Sequence, residues 1–263
     1  MDLNFPIFNG RTIITLNQFL TNPTGKGSSM MAKREEVRKN LEKRYSNILK
    51  KTGGKLNYTV YIDGDSYFFY FKIPSETFDN LLYDVVLEFL PENKKMSKFQ
   101  TLEDYSINFF SNSPHMTFTY TYVLKENKIT VPFCESMFKY SKTALKQKPK
   151  VTNPIRIFGF EKTCYYAALY IDRNKLTVKS EIEKNATRID KNTRVNLINQ
   201  IKTQDQKLAE YNALKKKISD EKKKAKVKNL NKKNVSNYNK AVADRKKRKA
   251  KSGFKSMFDK KKK

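Results

Sequence analysis

Residues 55–90 read KLNYTVYIDGDSYFFYFKIPSETFDNLLYDVVLEFL. Two aromatic-rich runs, Lys55–Asp63 and Ser66–Ile73, flank the turn Asp63-Gly64-Asp65. An Asp-Gly pair between alternating apolar segments is a strong short-range signal for a β-hairpin. Leu82–Leu90 and Tyr105–Phe110 repeat the alternation after short polar turns, so four strands are expected as an antiparallel meander. Phe68, Phe69, Tyr70 and Phe71 put aromatic rings on both faces of one strand, which must be covered on both sides or lie in an interface. Asp84 and Glu88 alternate with Tyr83, Val85, Leu87 and Phe89. A carboxylate pair on one face can serve acid–base chemistry. With no histidine or metal-ligand cluster nearby in sequence, a polar sheet face is the expectation.

Before the sheet, Met30–Lys51 reads as a helix capped by Ser28 or Ser29 and stopped by Gly53-Gly54. Its Val37, Leu41, Tyr45 and Ile48 form one apolar stripe, expected on the sheet. Earlier still, Phe5, Ile7 and Phe8 form an extended piece, followed by a turn at Asn9-Gly10 and a short run Thr12–Leu20. Asn22–Ser29 contains Gly25-Lys26-Gly27-Ser28, which lacks the GxxxxGK[ST] spacing and a leading strand; it reads as a loop.

After the sheet, Ser113-Pro114 is a good helix start, while Thr117–Tyr122 alternates like a strand; a helix over Pro114–Lys125 is expected. The chain's one histidine, His115, falls in that first turn and reads as a surface or capping residue. Asn127–Phe138 is a connection with a short apolar element, Ser141–Gln147 a helical turn, and Lys148-Pro149 and Asn153-Pro154 bracket an irregular segment. Phe158–Arg173 has the apolar band of a buried helix, with Phe160, Cys164, Ala167, Ala168 and Ile171 on one face.

Charge divides the chain. Residues 1–173 hold 25 Lys and Arg against 17 Asp and Glu, net +8, while residues 174–263 hold 30 against 9, net +21. The first part has the balance of a globular domain; the second lacks the apolar content for a core of its own. Domains 1–173 and 174–263 are therefore expected, the first folding without the second. The class is α+β: an N-terminal helix, the four-stranded antiparallel meander, C-terminal helices, then a long basic arm, helical or disordered. In the arm, Leu197, Ile201, Leu208, Tyr211, Ile218 and Ala225 fall roughly on heptad positions, a signal for a helix that packs on a partner.

A net charge of +29 calls for a polyanionic partner. The candidate contacts are Lys215, Lys216, Lys217, Lys222, Lys223, Lys224, Lys232, Lys233, Arg245, Lys246, Lys247, Arg248 and Lys249, with a further basic end at Lys260–Lys263. Phe254, Met257 and Phe258 stand close together within that polycation as a docking anchor. Cys134 and Cys164 have no motif spacing and read as free buried thiols of a reducing compartment. No signal peptide is expected from Met1–Pro6, nor a membrane span from any apolar run. No catalytic, metal or cofactor residues emerge. An enzyme is disfavoured by one histidine, scattered carboxylates and the absence of a G-x-S-x-G or phosphate loop.

The order of segments in residues 11–172 resembles a family of tailed-bacteriophage virion and structural proteins. The matching stretches are Thr15–Ser28 (TLNQFLTNPTGKGS), Tyr83–Pro91 (YDVVLEFLP), Phe109–Tyr122 (FFSNSPHMTFTYTY) and Asn153–Tyr170 (NPIRIFGFEKTCYYAALY). The resemblance implies a non-enzymatic subunit of a phage particle, made in the bacterial host cytoplasm, its position in the particle left open; the lysine clusters suit a head, neck or capsid-associated place, in several copies. Its partners would be other virion proteins, without membrane contact; the charge of the basic arm, and not the resemblance, points to neighbouring subunits or packaged DNA. The basic arm lies outside the resemblance. The alternative is a non-virion nucleic-acid-binding protein that shares the arm and stacks bases on its aromatic sheet.

Overall fold

The computed structural model describes the backbone of residues 7–8, 10–21, 31–138 and 161–259, and the side chains of 10–21, 35–138 and 161–248. Loop 22–29, the segments around 141–154, residues 158–160 and the end Lys260–Lys263 lie outside the described residues, as do the side chains of Lys249, Phe254, Met257 and Phe258.

The chain is of the α+β class, built on a five-stranded sheet and ending in a long helix. A two-residue pairing of β1 (Ile7–Phe8) with β2 (Arg11–Thr12) precedes helices α1 (Leu16–Thr21) and α2 (Met31–Lys51). The sheet follows: β3 (Asn57–Asp63), β4 (Ser66–Pro74), β5 (Leu82–Leu90) and β6 (Ser106–Ser111), each antiparallel to the next. Gly64, at φ 60°, makes the β3–β4 turn and sets Asp63 opposite Ser66. That left-handed conformation is open to glycine at little cost, and it matches the turn to the twist of the strands.

Four strands were expected; the sheet has five. After helices α3 (Thr121–Glu126), α4 (Lys162–Arg173) and α5 (Lys179–Asn185), a two-residue strand β7 (Thr187–Arg188) pairs in parallel with β3. The spatial order is β6-β5-β4-β3-β7. Helices α6 (Lys191–Gln200) and α7 (Gln204–Asp259) complete the chain.

Both faces of the sheet are buried. Phe69, Phe71, Val85, Leu87, Phe89, Ile107 and Phe109 point to one side, under Phe19 of α1, Leu41, Tyr45 and Ile48 of α2, and nearly the whole of α4. Val37, expected in the α2 stripe, is exposed. The alternate residues Tyr61, Phe68, Tyr70, Val86 and Phe110 meet Val131, Cys134, Met137 and Phe138 on the other side, with Leu197 of α6 and Ile201. The aromatic run of β4 is thus covered on both faces within this chain.

This second core corrects the expected polar face. Asp84 and Glu88 are buried, and partners from distant segments satisfy them. Asp84 accepts from the Tyr70 hydroxyl (2.8 Å), Asn112 Nδ2 (2.7 Å) and the backbone N–H of Lys202 (3.2 Å). Glu88 accepts from Asn108 Nδ2 at 2.6 Å, and Asn108 in turn accepts from Arg11. Burial raises the Glu88 carboxyl above its ordinary range despite the Asn108 hydrogen bond and the Arg11 charge. Hydrogen-bonded carboxylates cost far less to bury than bare ones, which is why these persist inside.

The helix expected over Pro114–Lys125 is present, with a π-helical stretch Met116–Tyr120 leading into α3. Its threonines explain the strand-like alternation. Thr117 Oγ1 donates to the Ser113 carbonyl (3.0 Å) and Thr121 Oγ1 to the Met116 carbonyl (3.1 Å), so hydroxyls serve the backbone of the widened turn.

The compact unit runs from Met1 to Tyr211, and Asn212–Lys263 form a second unit. The boundary therefore falls later than the charge shift after Arg173. Strand β7, Ile182, Leu197, Ile201 and Leu208 are all part of the body. The heptad-like stripe expected to face a partner is divided: its first three members pack on this chain's own body, and Ile218 belongs to the second unit.

Candidate functional site

Two places hold clustered polar chemistry, one in each unit. In the body, a cleft of about 170 Å³ is lined by Pro74, Ser75, Glu76, Thr77, Tyr83, Ser113, Pro114, His115, Lys162, Thr163, Tyr166 and Tyr211. At its base lies Glu161, the N-cap of α4. This buried carboxylate accepts from Ser113 Oγ (2.8 Å), Thr163 Oγ1 (2.6 Å) and the Cys164 backbone N–H (2.7 Å). His115 Nδ1 stands 3.6 Å from Glu161 Oε1, within ion-pair range when the imidazole is protonated. Burial alone would raise the Glu161 carboxyl; the neighbouring His115 imidazole, Thr163 and the Cys164 amide outweigh it and hold it below the ordinary carboxylate range.

On the wall of the cleft, Glu76 accepts a short hydrogen bond from the Tyr166 hydroxyl and pairs with Lys162 (3.3 Å) and Arg44 (3.5 Å). Burial opposes ionisation of Glu76, but the Tyr166 hydrogen bond and the two cations keep its carboxyl lowered. Tyr83 is pushed up to about 12, chiefly by burial. His115 Nδ1 is buried without a hydrogen-bond partner; a histidine placed in a cleft can serve proton exchange. The neighbouring hydroxyls, however, are committed: Ser113 and Thr163 donate to Glu161, and Tyr166 donates to Glu76. Both cysteine thiols are buried and raised well above their ordinary value by desolvation. Among the described residues no group of His, Cys, Asp and Glu is placed to hold a metal ion. The cleft's charges are spent on one another.

Sequence reading missed this cluster because its members are far apart along the chain. Glu76 and Lys162 meet across 86 residues and Ser113 and Glu161 across 48. Local sequence carried no signal either, because Glu is not among the residues favoured at a helix N-cap.

The second unit carries the opposite electrostatics. Residues 212–263 hold 22 Lys and Arg against 4 Asp and Glu. Helix α7 extends through this unit to Asp259, a rod on the order of 70 Å from Asn212 at ~1.5 Å per residue. Lys215–Lys217, Lys222–Lys224, Lys232, Lys233 and Arg245–Arg248 are all on it and all exposed. Three consecutive lysines on a helix span about 200° of its circumference, so each cluster is wider than one narrow face. Among the described residues, none of Lys215–Arg248 forms an ion pair; the last basic residue that does is Lys207, with Glu210 at 2.9 Å. Lys249 and the anchor residues Phe254, Met257 and Phe258 lie on the helical backbone, which does not extend to a description of their side chains.

Among the described residues no helix is long and apolar enough to cross a membrane. Comparison with protein-family models, with curated protein sequences and with solved structures finds no match to this chain.

Proposed function

We propose that this protein is a non-enzymatic structural component of a tailed-phage particle, anchored by its body and attached to packaged DNA through the basic helix Asn212–Asp259. The observation that carries the reading is the excess of 22 basic over 4 acidic residues in a unit whose described lysines are exposed and unpaired. Such a rod attracts phosphates of any sequence, because each neutralised phosphate releases counterions. The body supplies the complementary half: a double-faced core able to hold its shape while the rod is engaged. Base stacking on the sheet, the mechanism of the non-virion alternative, has no support, because Tyr67, Phe68, Phe69, Tyr70 and Phe71 are all buried.

Mass spectrometry of purified particles, combined with ultraviolet cross-linking of the enclosed DNA, tests the proposal. The expected result is the protein in mature particles, with cross-linked peptides drawn from residues 212–263. Absence from the particles, with the protein recovered on nucleic acid in the host lysate, would overturn it in favour of the non-virion alternative.

A further inference from the structure

The basic helix has a stretch whose chemistry does not suit phosphate. Between Val227 and Val242 the apolar residues Val227, Leu230, Val235, Tyr238 and Val242, at steps of three, five, three and four, fall within one broad side of the helix. Lys226, Lys233 and Lys240, spaced by sevens, run along the opposite side. Four of these apolar side chains are at least half exposed: Val227 56%, Leu230 50%, Val235 59% and Tyr238 70%. Part of this side forms a shallow groove lined by Val227 and Val235, with Asn231 between them, and by Lys223, Lys224, Lys228 and Lys232. Apolar side chains beside ammonium groups specify what fits: an apolar side chain flanked by carboxylates.

We propose that Lys223–Val242 is the docking site for an acidic amphipathic helix of another protein. The proposal rests on the reading of this helix as an interaction element and adds a protein partner to the nucleic acid. Leu- or Ile-like side chains of the partner bury Val227, Leu230, Val235 and Tyr238, and its Asp and Glu meet the groove lysines. Charge complementarity selects this occupant. A second copy of the same stretch brings lysine against lysine, and a duplex offers phosphates but no apolar side chain for the groove. The Arg245–Arg248 cluster, with no apolar residue within it, remains for phosphate.

The test uses the full chain and a synthetic four-heptad helical peptide with Leu at the a and d positions and Glu beside them. The control peptide carries the same charge with Gln in place of Leu. Titration calorimetry at near-physiological salt should show the Leu peptide binding at least ~tenfold tighter than its control. In a variant with Val227→Ala, Leu230→Ala, Val235→Ala and Tyr238→Ala, the Leu peptide should fall to the control's affinity while binding to a generic duplex is unchanged. Alanine is the strongest helix former, so the rod itself persists. Equal binding of the two peptides, or a variant that binds the Leu peptide like the parent, would overturn the proposal. So would concentration-dependent dimerisation of the parent that the variant lacks, since a second copy would then cover the stripe. Peptide binding without duplex binding would leave this inference standing and remove the nucleic-acid reading instead.

Discussion

Glu161 shows how much local structure a single buried side chain can hold together. It is 2% exposed, caps α4, and ties Ser113, Thr163 and His115 to the start of that helix. Replacing it by Gln keeps the shape but removes the charge that three donors and an imidazole are arranged around. Glu161→Gln should lower unfolding free energy at neutral pH by about 1–3 kcal/mol, the range for leaving buried partners poorly satisfied. The folded-state carboxyl is depressed. Its contribution is therefore complete above the unfolded-chain value near ~4.3 and is lost as pH falls through the folded value. Denaturant titrations at pH 7 and in the acid range should show parent and variant converging toward low pH. A difference that stays constant across that range would mean the Glu161 charge does not contribute. None of this could be read from the sequence, where Glu161 is one of 26 acidic residues and its partners lie in other segments. Asp84 and Glu88 were legible only as alternation. A period of two says which residues share a face, and says nothing of the Tyr70, Asn112 and Asn108 groups that allow that face to be buried.

At the scale of elements, the segment after Arg173 changes role from arm to wall. Helix α6 covers the side of the sheet that carries Tyr61, Phe68, Val86 and Phe110, and strand β7 extends the sheet beyond β3. Leu197→Ala should cost about 2–5 kcal/mol, as for a buried leucine truncated in a core that only partly relaxes. Val195→Ala, two residues away and exposed, should change stability by no more than about 0.5 kcal/mol. A chain ending at Tyr211 should melt as cooperatively as the full protein, and one ending at Arg173 should lose its sharp transition. Thermal scans followed by near-ultraviolet circular dichroism read both; a sharp transition in the shorter chain would show that α6 is dispensable. The four long strands were legible because each has six to nine residues of alternating pattern. Strand β7 has two residues, both exposed, and leaves no pattern to find. The stripe Leu197, Ile201 and Leu208 was visible, but a helical stripe records only that something apolar covers it. Here the cover is the chain's own sheet and not a partner.

Across the whole molecule, the division of labour follows charge. Around the cleft, Glu76 pairs with Lys162 and Arg44, and Glu161 faces His115, so opposite charges stand beside one another. Beyond Tyr211 the described cations have no such partners, and their field extends over about a Debye length, ~8 Å at physiological ionic strength. That asymmetry was legible from composition, although its boundary was not, because burying Ile182, Leu197, Ile201 and Leu208 leaves the charge sum of a basic segment unchanged. The most direct measurement is the affinity of a generic duplex as a function of salt, for the full chain and for the chain ending at Tyr211. The account predicts that log K for the full chain falls linearly with log salt, with a slope of about −0.9 for each phosphate contacted and several contacts in all. It also predicts that the shorter chain binds weakly, with a shallow slope. A flat salt dependence in the full chain, or the same steep slope in both, would contradict it.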